Sequence, residues 1–440
     1  MNPILKVLAI LVFLYSSSFI NYNLTASENE FYIPTDVNRY DSLSLQQALS
    51  LVFRDNPQLE VSELESEAAA ARIVQAEIKP NPELSLEADN FPALNGEGIA
   101  GYLESTIQVS QRLEIGGKRN RRIKAAKSFK SMTEFATEVR KAELRADVAR
   151  AFYDVLAAQE RIGNQQELAR LSQQSLNVVL ERIAAGKVSP VEQTLAQMEL
   201  VSAQLEEEEQ KKNLIAAKNR LAALWGGSSG DFGKASGQFE IPPEPTSLGQ
   251  SCPDMVLAES TIDFRQKTLA SEQAARNPDI TISGGYKHLK PENVNALVFG
   301  VSLPLPIFDK RQGAISEASI LLHKATSERN ALKRRLRADL ALARHEREIA
   351  LLEADTLSQN ALPTAMEAIS AIQEGYSLGK FTLMNVLDAQ RTHAQLRQRY
   401  IEAVASGLQA TVDIHRLVDC DSGSEASVGV TDTEGVYNEK

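Results

Sequence analysis

The residues that could carry chemistry in this 440-residue chain form no catalytic or metal-binding pattern. The string IGGKR at 115–119 stands where a phosphate-binding loop could stand, but that loop requires GxxxxGK followed by Ser or Thr, and Arg119 occupies this place. The acidic run Glu206–Glu209 is followed by lysines and indicates a solvated helix face rather than a calcium site. The histidines lack the i, i+3 or i+4 spacing of a helical metal site; they are His288, His323, His345, His393 and His415. No Ser/His/Asp or Cys/His arrangement lies in a glycine-rich turn, so the sequence predicts no enzyme, no cofactor and no resident metal.

The composition indicates long helices rather than several globular domains. The chain has 47 Lys+Arg against 58 Asp+Glu, a net charge of -11 and a mean hydropathy of -0.24. This acidic balance argues against nucleic-acid binding, which needs a large excess of Lys and Arg. Aromatic residues make up only 6% of the chain, while Ala, Leu, Glu, Gln, Lys and Arg dominate, as is typical of extended helices.

The N-terminal segment has the features of an export signal. Lys6 precedes an apolar run from Val7 to Tyr15, and Leu24-Thr25-Ala26 has the small-residue spacing of a signal-peptidase site. A membrane-spanning helix needs about 20 apolar residues, so residues 1–26 are expected to be a cleaved signal peptide, with a membrane anchor as the alternative. No other segment approaches that length, which excludes a helical membrane protein.

Short blocks recur along the chain at nearly constant offsets, which indicates a duplication. The recurring blocks are Asn81-Pro82 and Asn277-Pro278 at an offset of 196, Val109-Ser110 and Val301-Ser302 together with Lys118-Arg119 and Lys310-Arg311 at 192, and Gly186-Lys187 and Gly379-Lys380 at 193. The predicted organisation is a first repeat at 43–225, a Gly- and Pro-rich linker at 226–252, a second repeat at 253–420 and a disordered tail at 421–440.

Each repeat has the same predicted plan of a helix, two amphipathic strands and a long helical hairpin. The predicted strands span 83–91, 102–115, 279–288 and 296–308, and alternate apolar and polar residues. The predicted hairpins have descending helices at 118–185 and 310–378 and return helices at 191–225 and 383–418. In the first return helix the apolar positions are spaced by 3 and 4 residues, which predicts that they form the coiled-coil seam of the hairpin; they are Val191, Leu195, Met198, Val201 and Leu205.

Four strands cannot close a barrel with a water-filled lumen, although their length and alternation match an outer-membrane barrel. Three copies of the chain would supply twelve strands, an even number within the known range. The alternative is a small two-sided sheet that caps a coiled-coil rod.

A basic cluster follows the second predicted strand, without an acidic residue among its members. It contains Lys118, Arg119, Arg121, Arg122 and Lys124. The cluster could contact anionic lipid headgroups at the membrane interface. Pairing with the acidic residues of a neighbouring helix is the alternative.

These features together resemble the outer-membrane efflux proteins of the TolC type. The resemblance rests on the duplicated plan and on the strings NPQLEVSELESEAAAARIVQAEIKPNPELSLEAD, QRLEIGGKRNRRIKAAK and YSLGKFTLMNVLDAQR, and it covers about residues 43 to 420. It implies a mainly α fold with a small membrane β part, in which a trimer forms a 12-stranded β-barrel continuous with a periplasmic α-helical tunnel. The string LEIGGKR is most similar to the branch that serves cobalt-zinc-cadmium resistance.

The resemblance also implies roles for individual residues. The hairpin tips are expected to dock on a periplasmic adaptor; they contain Arg182, Gly186, Lys187, Ser189, Glu192, Tyr376, Gly379, Lys380 and Thr382. The family often has two pore-facing aspartates three residues apart, and this chain has Asn385 at the first place and Asp388 at the second, so one carboxylate of the pore constriction is missing. Cys252 and Cys420 are expected to lie together at the equator of the tunnel and to form a disulfide.

The implied function is a passive exit duct of a tripartite efflux pump in the outer membrane of a Gram-negative bacterium. Its expected partners are two further copies of the chain, an adaptor protein, an inner-membrane pump of the RND type and outer-membrane lipid, and its expected cargo is heavy-metal cations. The alternatives are a duct for drugs or for type I secretion, and, in another class, a periplasmic adaptor.

Overall fold

Long helices dominate the computed structural model of the chain, which describes residues 40–89, 104–228, 232–245, 252–289 and 294–421. The helices are α1 (Leu45–Asp55), α2 (Pro57–Glu77), α3 (Lys118–Ala184), α4 (Pro190–Ala223), α5 (Pro253–Ala275), α6 (Gln312–Thr356), α7 (Leu362–Ser377) and α8 (Leu383–Asp421). The strands are β1 (Tyr40–Leu43), β2 (Glu83–Asp89), β3 (Glu104–Leu113), β4 (Phe232–Ala235), β5 (Ile280–Leu289) and β6 (Val294–Ser302). The predicted signal peptide and the predicted tail beyond Asp421 lie outside the described residues.

The descending helix of the second hairpin contains a five-residue π-helical turn, Leu357–Ala361, between α6 and α7. The backbone N–H of Leu362 donates to the carbonyl of Leu357, which is the i to i+5 bond of a π-turn. Pro363 follows directly and has no N–H to donate, so a regular helix could not continue its hydrogen-bond ladder through this point.

An antiparallel sheet is formed by the strand order β2-β3-β5-β6. Its register sets Leu86, Ile107, Tyr286 and Leu297 side by side on one face. That face is apolar and exposed, with Leu297 73% exposed, while the alternate positions of β2 and β3 are mostly polar. The predicted mainly helical fold with four amphipathic strands is confirmed.

A second, two-stranded sheet was not predicted from the sequence. β1 pairs in parallel with β4, and β4 lies within the segment interpreted as a linker. A Cβ at Gly233 would lie 2.5 Å from the carbonyl oxygen of Asp41, so the close approach of the two strands requires glycine there. Around this sheet a buried cluster contains Leu43, Phe152 and Leu221, which ties the segment between the repeats to the helices.

The long helices pack in two successive rows. Near the antiparallel sheet, α2 packs along α3, α3 along α5 and α5 along α6. Towards the hairpin tips, α4 packs along α3, α3 along α8, and α8 along α6 and α7. None of the helices in the described ranges has both the length and the apolar character of a membrane span.

The apolar stripe of α4 lies on a different face from the one predicted. Val191, Met198 and Leu205 are 64%, 64% and 70% exposed, so most of this stripe lies outside the seam of the hairpin. Only Leu195 of the predicted set packs against the buried cluster near the tips. The residues that α4 buries are mostly small; they are Ala196, Glu199, Leu200, Ala203, Ala217, Leu221 and Ala222. The 3- and 4-residue spacing indicates a surface that needs a partner, but it does not indicate which partner, and alanines already allow close helix packing inside the hairpin.

Candidate functional site at the hairpin tips

The two hairpins end in the same turn. In the first, the N–H of Lys187 donates to the carbonyl of Arg182 at 2.9 Å, and the N–H of Gly186 donates to that of Ile183 at 2.8 Å. In the second, Lys380 donates to the Gly375 carbonyl at 2.7 Å, and Gly379 donates to the Tyr376 carbonyl at 3.0 Å. This pair of hydrogen bonds defines the Schellman motif, which needs a residue with positive φ. Gly186 and Gly379 supply it, with φ of 70° and 77°.

The return helices begin with hydroxyl caps at equivalent positions. The side chain of Ser189 accepts from the N–H of Val191 at 3.3 Å. In the second hairpin, Thr382 and Asn385 form a reciprocal pair: the Asn385 side chain accepts from the N–H of Thr382 at 3.0 Å, and the Thr382 Oγ1 accepts from the N–H of Asn385 at 3.4 Å. Asn385 thus has a structural role in starting α8.

Three of the predicted tip residues join the two hairpins. The Tyr376 hydroxyl of the second hairpin donates to the Glu192 carboxylate of the first at 2.6 Å. The Arg182 guanidinium lies 4.3 Å from the centre of the Tyr376 ring and donates through Nη1 to the Tyr376 carbonyl. Tyr376 is only 4% exposed, and burial, followed by the Glu192 hydrogen bond, raises the pKa of its phenol. The phenol therefore stays a hydrogen-bond donor at physiological pH.

Asp388 is exposed on α8, one turn after Asn385. On the next turn, Arg391 donates through Nε to Glu199 at 2.9 Å, and its second contact to this carboxylate is through Nη2. The pKa of the Arg391 guanidinium is raised, first by the Glu199 hydrogen bond and to a smaller extent by the charges of Glu199 and Asp388. A cation is thus present close to the single carboxylate that was predicted for the pore.

Two polar contacts near the tips were not predicted from the sequence. Glu199 is buried on α4, and Arg391 pairs with it across the two hairpins. Gln390 is 1% exposed and donates to Ser175 Oγ at 2.9 Å. The repeat could have indicated these contacts, because Ala-Gln at 196–197 recurs at 389–390. A charged residue follows each copy, Glu199 after the first and Arg391 after the second, and the two have opposite sign.

The basic cluster lies where the sheet meets the helices, and most of its members have partners in the same chain. The contacts are Lys118 to Asp279 at 2.6 Å, Arg119 to the Glu77 carbonyl at 2.7 Å, Arg121 to the Ala270 carbonyl at 3.2 Å, and Arg122 to Glu114 and to the Ala76 and Ile78 carbonyls. Lys124 is exposed. These contacts satisfy the last carbonyls of α2 and bind the start of α3 to both neighbouring helices.

Cys252 is buried at the N-terminus of α5, next to Leu336 and Leu340 of α6. Cys420 lies in the last turn of α8, but its side chain lies outside the described residues. The Cys252–Cys420 disulfide therefore remains a prediction. In the described ranges no group of three or more His, Cys, Asp or Glu side chains could hold a metal ion.

A sheet with an exposed apolar face, joined to two long hairpins with matched tips, defines a membrane channel subunit with a helical extension. The sequence profile of the outer membrane efflux protein family matches residues 48–227 and 245–418, and the chain belongs to this family. The predicted function as an outer-membrane efflux channel, and with it the outer-membrane location, is confirmed.

Individual relatives agree with this assignment. The chain is 34% identical over 382 residues to the cobalt-zinc-cadmium resistance protein CzcC of Cupriavidus metallidurans, covering 86% of this chain and 90% of that one. It is 25% identical over 280 residues to the nickel-cobalt-cadmium resistance protein NccC of Alcaligenes xylosoxydans, covering 63% of each. Its fold is similar to a crystal structure of CusC, with a TM-score of 0.73 at 18% identity, covering 86% of this chain and 93% of that one.

Proposed function

We propose that this efflux channel exports transition-metal cations as the exit duct of a tripartite pump. The observation that carries the cargo assignment is the 34% identity to a cobalt-zinc-cadmium resistance protein over nearly the full length of both chains. The similarity to a nickel-cobalt-cadmium resistance protein supports the same class of cargo. The family membership favours a duct over the alternative of a periplasmic adaptor.

The working particle is a trimer. The four-stranded sheet has an even number of strands, so its two edges β2 and β6 run in opposite directions, and copies joined edge to edge continue the antiparallel pattern. Three copies give twelve strands and remove every open edge. The exposed apolar stripe of α4 supports the same assembly, because α6 has a comparable stripe at the other end of the row, with Leu342, Ile349 and Leu352 at 56%, 51% and 70% exposed.

The hairpin tips dock on the hairpins of a periplasmic adaptor, which connects the duct to an inner-membrane pump of the RND type. Support comes from the matched Schellman turns, which present Lys187 and Lys380 at equivalent exposed places. The tunnel constriction lies just above, where Asp388 supplies one carboxylate per copy. Because Asn385 is engaged in the cap of α8 and Arg391 lies close by, we expect weak rather than strong cation selectivity at this level.

Deletion of the gene, followed by growth across zinc, cobalt, cadmium, nickel, copper and a drug panel, tests the cargo. We expect a lower tolerated concentration for one or more of the metals, restored by the wild-type gene on a plasmid. Sensitivity to drugs alone would replace the metal assignment by the multidrug alternative. Gene neighbours encoding an adaptor and an RND pump would support the tripartite assignment independently.

A further inference from the structure

The two outer helices of the row next to the sheet have opposite charge. In the order α2-α3-α5-α6, the ends of the row are α2 and α6. α2 contains five acidic residues and one basic residue, a net charge of -4. The first part of α6, residues 312–338, contains six basic and two acidic residues, a net charge of +4 with His323 neutral.

The acidic residues of α2 have little to pair with in their own chain. Glu60, Glu63, Glu65 and Glu67 are all exposed, and within the described ranges none of them has an ion pair. The one arginine of the helix, Arg72, lies over the Phe129 ring of α3 instead. This carboxylate surface is therefore available to a partner.

Within the part of the chain that the structure describes, two basic residues of α6 form ion pairs only within their own helix. Lys324 is 63% exposed and reaches only Glu328, one turn along the same helix, at 3.6 Å. Arg335 is 79% exposed and reaches only Asp339, at 3.5 Å. Exposed pairs within one helix contribute about 0.3–0.5 kcal/mol, so they do not prevent these side chains from pairing across an interface.

The two charged surfaces lie at the same height below the sheet. At the top, Arg119 bonds the end of α2 at Glu77, and Arg311 pairs with Glu272 near the end of α5. Glu67 lies about 10 residues below Glu77 along α2, which is roughly 15 Å at 1.5 Å per residue. Lys324 lies about 13 residues below Arg311 along α6, which is roughly 20 Å, so the two side chains start from similar heights.

Anchors at the lower end agree with this alignment. Arg145 of α3 lies over the Phe53 ring just before α2, and Cys252 at the start of α5 packs on Leu336 and Leu340 of α6. When residues are counted from these anchors towards the sheet, along α2 and along α6, Glu60 lies at the same height as Lys333 and Arg334 to within about one helical turn. The acidic and basic stretches therefore face each other when two copies stand side by side at the same height.

We propose that α2 of one copy packs against α6 of the next and that matched charges set the height and the partner of this contact. The proposal rests on the trimer put forward above and adds which surfaces meet. The contact is heterologous, since the acidic edge of each copy meets the basic edge of its neighbour, and such contacts give a closed ring when the rotation between copies closes. Two acidic or two basic edges repel, so the charges exclude a copy that approaches with the wrong edge.

Zero-length carbodiimide crosslinking of the full-length protein in detergent tests the contact directly. Trimers assembled from a mixture of ¹⁵N-labelled and unlabelled chains distinguish crosslinks between chains from those within one chain. We expect mixed-isotope crosslinks that join Lys324 or Lys333 to the carboxylates of Glu60, Glu63 or Glu67.

Charge reversal provides the second test. Glu60→Lys/Glu67→Lys and Lys324→Glu/Arg334→Glu should each raise the monomer fraction about tenfold or more, and the combination of all four should restore the trimer. The matched control Glu134→Lys/Glu138→Lys makes the same charge change on α3, an inner helix of the row, and should leave the trimer intact. A trimer that resists both reversals and gives no mixed-isotope crosslink would overturn the charged contact alone. A monomeric wild-type protein would overturn the trimer as well.

Discussion

The hydrogen bond between Tyr376 and Glu192 is the contact whose removal is most informative. Tyr376→Phe deletes the hydroxyl that joins the second hairpin to the first and leaves the ring, and with it the stacking of Arg182, in place. A hydrogen bond to a charged group contributes about 1.5–3 kcal/mol. Glu192 is only partly buried and can recover water, so the lower end, about 1.5 kcal/mol, applies.

At about 1.4 kcal/mol per factor of ten, this loss corresponds to a roughly tenfold increase in the opening equilibrium of the tips. Amide hydrogen exchange, followed by mass spectrometry on peptides covering 182–192 and 374–385, measures that equilibrium. We expect about tenfold faster exchange at Lys380, whose N–H is bonded in the turn next to Tyr376.

The matched control is Tyr400→Phe, which deletes a hydroxyl on α8 far from the tips. It should leave exchange at both tip peptides unchanged. Glu192→Gln keeps an acceptor but removes its charge, and it should give a smaller increase than Tyr376→Phe. Exchange in Tyr376→Phe that stays within twofold of wild type would show that the hydrogen bond does not hold the hairpins together.

Three further predictions concern the turn, the pH and the cysteines. Gly379→Ala should lower the stability of the second tip by about 1–2 kcal/mol, because the φ of 77° is unfavourable for any residue with a Cβ. Gly163→Ala should raise stability by about 0.5–1 kcal/mol, because Gly163 lies within α3 and a Cβ there meets nothing. Thermal unfolding measures both changes. Burial lowers the pKa of His393 in the folded chain, so the free energy of unfolding is highest above the ordinary pKa of histidine and decreases as the pH falls below that value. Urea unfolding should therefore give a lower free energy of unfolding at pH 5.5 than at pH 7.5, and His393→Gln should reduce this difference. Intact mass under non-reducing conditions should be two hydrogens below that of the reduced chain, and two alkylatable thiols would refute the Cys252–Cys420 disulfide.

Local patterns in the sequence predicted the antiparallel sheet and the hairpins, except that the strand predicted at 296–308 ends at Ser302. The predicted strand at 279–288 is β5 at Ile280–Leu289, and the predicted helix at 118–185 is α3 at Lys118–Ala184. Alternation with period two and the absence of helix breakers are properties of neighbouring residues, so a single segment carries the whole signal. The Gly-Lys turns were also predictable from the sequence, because a turn residue with positive φ is usually glycine.

Features that depend on distant parts of the chain were not predictable in this way. β1 and β4 are four residues each and pair across about 190 residues, so neither has a pattern of its own length. The stripe of Val191 and Met198 was assigned to the wrong neighbour because spacing shows that a surface is apolar and does not show what covers it. The Glu199–Arg391 pair needs both hairpins to be in place before its charges meet.

The π-turn sets where the second hairpin ends relative to the first. The first descending helix runs from Lys118 to Ala184 without interruption, whereas the second runs from Gln312 to Ser377 through the π-turn. Each residue of a plain α-helix advances the chain by about 1.5 Å and turns it by about 100° around the axis. The turn at Leu357–Ala361 closes its hydrogen bond over five residues rather than four, so without it the second tip would lie lower and be rotated about its axis, and the Tyr376 hydroxyl would no longer face Glu192.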